Sequence, residues 1–250
     1  PLDDMLGIVA LESHRNACVV VGEDLGTVSE RIREAMDRYG MLSCRLLYFE
    51  RNEDGSYKAP ADYPVRALAA VTNHDLPTVA GFWEGWDLLV RHELGQFPSE
   101  EHRQQQIVGR AQARAHLLLA LEREGLLPEG VTVDPMSVPS MTSDLALALH
   151  VYLARAPAKL LVVQLDDVIG AVEQVNVPGT TEDRYPNWRR KLDIDLEDLA
   201  RDERLVRFSV AIERERPAPP RAMRHAPMRG PRANIPRATY RLQLNASFTF

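Results

Sequence analysis

Val19-Val20-Val21-Gly22-Glu23-Asp24-Leu25-Gly26 is a β-branched run that ends in a glycine, two acids and a second glycine. Immediately after it, Thr27-Val28-Ser29-Glu30 has the form of a capping box, in which a threonine oxygen takes the first free amides and Glu30 reaches back. A buried strand that hands a carboxylate to the start of a helix is how an α/β barrel presents side chains at the C-terminal end of its sheet. The same grammar recurs downstream, where the apolar run from Ala67 leads into Thr72-Asn73-His74-Asp75-Leu76-Pro77-Thr78. Two acids leaving two strand ends suit acid/base chemistry on a bond between sugars, although the residues alone leave that open.

Working outward, Cys18 to Gly22 is expected to be a fully buried strand of a parallel sheet. Ile32, Ala35, Met36 and Tyr39 follow at helical spacing, with Gly40 as the left-handed stop. Cys44 to Phe49 reads as the next strand, Asn52-Glu53-Asp54-Gly55 as a polar turn, and Ala67 to Thr72 as a third strand. Phe82, Trp83 and Trp86 form an aromatic cluster beside the proposed site. Helices are predicted over about Glu100 to Glu124, with Ile107, Val108, Ala111, Ala115, Leu118 and Leu121 on one face, and from near Thr142. Leu160 to Leu165 is a fourth strand, and Asp195 opens a last helix through Leu196, Leu199, Leu205 and Val206.

Strands interleaved with helices predict an α/β fold, the C-terminal half of a (β/α)8 TIM barrel, over residues 1–215. A whole barrel takes about 250 residues and eight strands. This chain has 250 residues but half the strands, and it starts at Pro1, so the expectation is truncation on the N-terminal side. Between Arg216 and Arg237 six prolines alternate with arginines, which predicts a disordered linker over 216–236. Residues 237–250 alternate like a strand and read as the start of a second domain.

Composition narrows the function. With 45% hydrophobic and 26% charged residues the chain is that of a globular protein with ample core material, and no run approaches the roughly 20 apolar residues of a membrane span. The net charge of −6 conceals an asymmetry: seven arginines and no acid lie beyond residue 215, leaving 23 basic residues against 36 acidic ones in the body. An acidic body argues against nucleic acid as the main partner, because phosphate binding needs a basic surface. Cys18 and Cys44 are expected as buried free thiols, which points to the cytoplasm. The histidines lack metal-ligand spacing and no Gly-rich phosphate loop occurs, so no metal or cofactor is expected.

Retaining glycosyl transfer uses one carboxylic acid to protonate the leaving oxygen and one carboxylate to attack the anomeric carbon. A further acid can grip sugar hydroxyls more tightly in the transition state than in the ground state. Glu23 suits the acid/base role if burial keeps it protonated near neutral pH, and Asp75, beside His74, suits the gripping role. The same residues also admit plainer duties: Glu23 as a cap for the following helix, Asp75 as a turn former. Trp83 and Trp86 could stack on sugar rings, although aromatic residues more often fill cores.

The motifs Gly-Glu-Asp-Leu-Gly-Thr-Val at 22–28, Lys58-Ala59-Pro60 with Tyr63-Pro64, and Thr72 to Thr78 resemble the 4-α-glucanotransferase (amylomaltase) family, glycoside hydrolase family 77. Asn176-Val177-Pro178-Gly179-Thr180 with Asn187-Trp188-Arg189-Arg190-Lys191 resembles that family's C-terminal signature, so the match spans roughly residues 1 to 210. The resemblance implies a cofactor-free enzyme that transfers segments of α-1,4-glucan, such as maltooligosaccharides, to the 4-hydroxyl of another glucan or of glucose. It implies Glu23 as acid/base, Asp75 as transition-state stabiliser, and His74 and Asn176 as substrate contacts. The family nucleophile is an aspartate in an Arg-x-Asp-His motif, and these 250 residues contain none. The chain alone is therefore expected to be inactive, with a non-catalytic α-glucan-binding module as the alternative. Ile235 to Leu244 resembles the opening strand of maltooligosyltrehalose synthases of family 13, which implies a fusion of two α-glucan enzymes.

Overall fold

Helix α1 (Leu2–Arg15) leads into a short strand β1 (Val21–Gly22), helix α2 (Glu30–Arg38) and strand β2 (Leu42–Leu46) in the computed structural model, which describes residues 1–217. Strand β3 (Ala67–Ala70) follows, then helices α3 (Val79–Glu84), α4 (Trp86–Glu93), α5 (Glu100–Arg123) and α6 (Ser143–Ala154). Strand β4 (Leu160–Val162), helix α7 (Leu165–Ile169) and helix α8 (Glu203–Glu215) complete the described fold. The predicted linker over 216–236 and the start of a second domain over 237–250 lie outside the described residues, apart from the first two positions of the former.

The four strands form one parallel sheet in the order β1-β2-β3-β4. Val21 pairs with Leu42, Leu46 with Ala70, and Ala70 with Val162, so every strand points its C-terminal end to the same side. Sequential parallel order is what consecutive strands of a barrel show. The connection from β2 to β3 holds the predicted turn over 52–55 and no α-helix. It is an excursion with two short 3-10 turns at Leu47–Phe49 and Pro60–Asp62, closed by a bridge between Arg51 and Tyr57.

The core lies where α6 covers β3 and α5 packs on α6. Ala67 and Ala69 present little side-chain bulk on β3, which lets Leu117, Leu118 and Leu121 of α5 and Leu145, Leu149 and Leu153 of α6 pack down to almost no exposure. Each such leucine contributes roughly 1.5–3 kcal/mol relative to remaining in water. The N-terminal half of α5 projects beyond this core, so Ile107 and Val108 are exposed although they continue the apolar stripe read from the sequence. Helix α6 begins beside Thr142 as predicted, and the Thr142 hydroxyl caps it by accepting from the Leu145 amide at 3.1 Å.

Other boundaries move for physical reasons. The expected buried strand from Cys18 shrinks to two residues, with Cys18 exposed and Val19 57% exposed, because β1 is the edge of the described sheet and pairs on one side only. The capping box does not form: α2 starts at Glu30 after Ser29, with no side-chain cap bond. Gly22 lets α2 approach closely, since a Cβ there would sit 2.5 Å from the Met36 methyl. The last helix begins at Glu203 rather than Asp195, because Asp202 is the residue whose carboxylate takes the free amides of Arg204 and Leu205. Among the described residues no helix is long and apolar enough to cross a membrane.

Candidate active site

At the end of β1 the two neighbouring acids take opposite environments. Asp24 is buried: its Oδ1 accepts from the Cys44 amide at 2.8 Å, and its Oδ2 lies 3.4 Å from Arg33 Nε and 3.3 Å from Arg45 Nη2. The charge chain continues from Arg45 to Glu50 at 3.6 Å and from Glu50 to Lys58 at 2.8 Å. Two guanidiniums and an amide on one buried carboxylate offset its loss of water. This fixes the strand end and leaves Glu23 on the open side, exposed to solvent. The burial on which a protonated Glu23 depends is not supplied by the described residues; the strand end is tied down through its neighbour. Glu23 lies close enough to β2 for its charge to be felt there. The Cys44 thiol is pushed up to about 11, first by burial and then by Glu23 and Asp24, with Arg45 opposing.

At the end of β3, Asp75 is held on both oxygens. Asn176 Nδ2 donates to Oδ1 at 2.6 Å, and His74 Nε2 lies 3.4 Å from Oδ2. The backbone beneath is a tight turn, with the Asp75 amide donating to Asn73 Oδ1 at 3.1 Å and the Thr72 hydroxyl to the Pro77 carbonyl at 2.9 Å. Asp75 and His74 remain 40% and 51% exposed at the side chain, so both are reachable from solvent. With about four lone-pair sites on a carboxylate, Asp75 keeps capacity for incoming hydroxyls.

The segment that carries Asn176 is anchored to the start of α3. Thr78, whose hydroxyl also caps that helix, donates to the Val172 carbonyl at 3.1 Å, and Gly81 leaves the space that this carbonyl occupies. Beyond it, Tyr185 donates to the Gln174 carbonyl at 2.8 Å. Asn187 accepts from the Val177 amide and donates to the Thr180 hydroxyl, both at 2.8 Å. Trp188 follows at φ 62°, a left-handed conformation rare for a bulky residue, and its ring lies 5.2 Å from that of His74.

A cleft of about 450 Å³ opens beside Asp75. Its floor is polar and buried, with Arg110 making a fork to Asp87 at 2.7 and 2.8 Å beneath the stacked rings of Tyr48 and Phe82. Its rim carries Phe49, 54% exposed, with Leu76 and Pro77, while Val177 lines it from a buried position. Of the two duties open to Trp83 the structure shows core filling: it is 1% exposed and donates its indole N–H to the Val138 carbonyl at 2.9 Å. Trp86 is half-buried and does not line the cleft.

The structure thus brings His74, Asp75 and Asn176 into one cluster and sets Glu23 at the same end of the sheet, two strands away. That places the ends of β1 and β3 about 10 Å apart at ordinary strand spacing. Sequence reading missed three things: the buried Asp24 network, Phe49 at the rim, and the ring of Trp188. The last was within the quoted C-terminal signature, yet only the fold shows that it meets His74. Among the described residues no group of three or more His, Cys, Asp or Glu side chains is arranged to hold a metal ion.

Residues 1–196 match the sequence profile described as 4-alpha-glucanotransferase, glycoside hydrolase family 77. The chain is 38% identical over 223 residues to the 4-alpha-glucanotransferase of Mycobacterium tuberculosis (strain H37Rv), covering 84% of this chain and 29% of the relative. It is 34% identical over 216 residues to that of Haemophilus influenzae, covering 86% of this chain and 30% of the relative. The crystal structure of amylomaltase from Corynebacterium glutamicum superposes with a TM-score of 0.75 at 30% identity, covering 84% of this chain and 31% of that one. The chain therefore spans less than a third of the length of the relatives it matches.

Proposed function

The chain belongs to the 4-alpha-glucanotransferase family, glycoside hydrolase family 77, and from that premise we propose that the protein moves segments of α-1,4-glucan to the 4-hydroxyl of an acceptor glucan or glucose by a retaining double displacement. The observation that carries this reading is Asp75, held from two sides at the same sheet end that presents Glu23. In the proposed chemistry Glu23 protonates the departing glycosidic oxygen and then takes a proton from the acceptor hydroxyl. Asp75 accepts hydrogen bonds from hydroxyls of the donor sugar, and these strengthen as positive charge grows at the anomeric carbon. His74 contacts the same sugar. Asn176 serves first by fixing Asp75, and Phe49 offers an apolar face for a neighbouring glucosyl ring.

The described sheet serves as half of a (β/α)8 barrel over residues 1–215, with the nucleophile supplied from outside these 250 residues. The Pro/Arg stretch over 216–236 then acts as a linker to a second, family 13-like domain that begins at 237. Free cysteines fit a reducing compartment such as the cytoplasm. The proposed partners are maltooligosaccharides and other α-1,4-glucans, with no cofactor.

The test is glucose release from maltotriose together with the appearance of longer maltooligosaccharides. It is run on the 250-residue chain and on a longer protein that supplies the upstream barrel half. Activity confined to the longer protein and abolished by Glu23→Gln supports the reading. Turnover by the 250 residues alone removes the argument from the absent Arg-x-Asp-His motif. A folded longer protein that binds maltooligosaccharide without turnover establishes the binding-module alternative, which that same absence favours.

A further inference from the structure

We propose that Trp188 is a positioning residue for the reaction, pressing the His74 imidazole against Asp75 so that one loop holds both oxygens of that carboxylate. The inference rests on the glucanotransferase reading of Asp75. Two arms leave the segment between Gln174 and Trp188. Asn176 reaches Asp75 Oδ1 at 2.6 Å, and Trp188 meets the His74 ring at a centroid distance of 5.2 Å, with that imidazole 3.4 Å from Asp75 Oδ2. The separation and the 45° tilt between the rings fall in the range of attractive aromatic pairs.

The backbone supports a positional rather than a packing role. Trp188 sits at φ 62° and is 59% exposed, so its ring contributes little to the core while its main chain is held in a conformation that disfavours a large side chain. The surrounding bonds enforce that conformation. The Trp188 amide donates to the Val175 carbonyl at 2.8 Å, Asn187 ties Val177 to Thr180, and Arg190 pairs with Asp166. Strain kept in place by its surroundings at an exposed aromatic, with its ring against His74, has a use at the site and none evident in the core.

Glycine at this position relieves the backbone and removes the ring, which separates the two roles. In the full-length protein, Trp188→Gly is expected to keep or raise the melting temperature while kcat for maltotriose falls about tenfold or more and KM moves less than about threefold. Trp188→Leu, which keeps apolar bulk without a ring, is expected to lose kcat equally, and Trp188→Phe to restore most of it. Independently of turnover, the His74 ring-proton resonance, identified with His74→Gln, should carry a ring-current shift that disappears in the Gly and Leu variants. Wild-type kcat in Trp188→Leu overturns the proposal, as does a rise in KM alone, which would make the ring a sugar platform. An unshifted His74 resonance also overturns it, whereas an inactive wild type with a shifted resonance defeats the glucanotransferase reading and leaves the ring contact standing.

Discussion

Asn176 Nδ2 donates to Asp75 Oδ1 at 2.6 Å across 101 positions of sequence, and this bond joins the end of β3 to the segment that follows α7. A hydrogen bond to an ionised carboxylate is worth about 1.5–3 kcal/mol. If it aligns Asp75 in the transition state, Asn176→Ala should lower kcat/KM by about 10- to 100-fold. Asn176→Asp, which sets two carboxylates against each other, should lower it further. The fold should survive both changes, because the anchors through Thr78, Tyr185 and Asn187 remain. Steady-state kinetics with maltotriose beside a thermal melt is the check, and unaltered kinetics in Asn176→Ala would separate this bond from catalysis.

Glu23 can be sensed without any turnover. It is one of the groups that hold the Cys44 thiol near 11, after burial itself, so Glu23→Gln should bring the thiol down and speed its alkylation at pH 9. Cys18, exposed at the sheet edge, should react readily in both proteins and serve as the internal reference. Peptide mass spectrometry over a time course of iodoacetamide labelling reads both sites at once. Equal Cys44 rates in wild type and Glu23→Gln would place the Glu23 carboxylate farther from β2 than described.

What the sequence revealed follows from where each residue keeps its information. The strands, their parallel sense and the emergence of Glu23 and Asp75 at one sheet end were legible, since short apolar runs closed by Gly, Asx and capping residues carry that meaning locally. Edge status was not. Whether Val19 is buried depends on what lies beyond β1, and no local pattern encodes a neighbour. Thr27 and Asp195 were plausible caps, but Ser29 and Asp202 occupy the cap positions because α2 must seat Met36 on Gly22 and α8 must bring Phe208 into the core. The assignment of Asn176 as a substrate contact came from resemblance, whereas its bond to Asp75 needed the fold. The same holds for Trp188, whose positive φ leaves no trace in residue type.

Trp83 separates a core reading from a sugar-binding one. Its ring is buried and its indole N–H is satisfied by the Val138 carbonyl, so Trp83→Ala should destabilise the protein by about 3–5 kcal/mol. Phe49→Ala, at the exposed rim, should leave the urea midpoint nearly unchanged and raise KM for longer maltooligosaccharides. A stable Trp83→Ala protein with weakened glucan binding would restore the platform role to Trp83.

Asp202 supplies a pH signature that belongs to the fold and not to the site. Its carboxyl is lowered to about 2 from 3.8, chiefly by the hydrogen bond from the Arg204 side chain, with amide bonds from Leu205 and Arg204 adding to the effect. A group whose folded value lies below its unfolded one contributes stability that is full above the unfolded value and disappears as pH falls through the folded one. The window is therefore about pH 4 down to about pH 2. Allowing for solvent screening at this partly exposed pair, the contribution is about 1 kcal/mol, the α8 cap bonds of the same carboxylate included, and Asp202→Ala should lose it at neutral pH. Urea midpoints measured across pH 2 to 7 should show wild type and Asp202→Ala converging as the acid limb is entered. A constant gap down to pH 2 would mean that the Arg204–Asp202 bond does not govern this carboxyl.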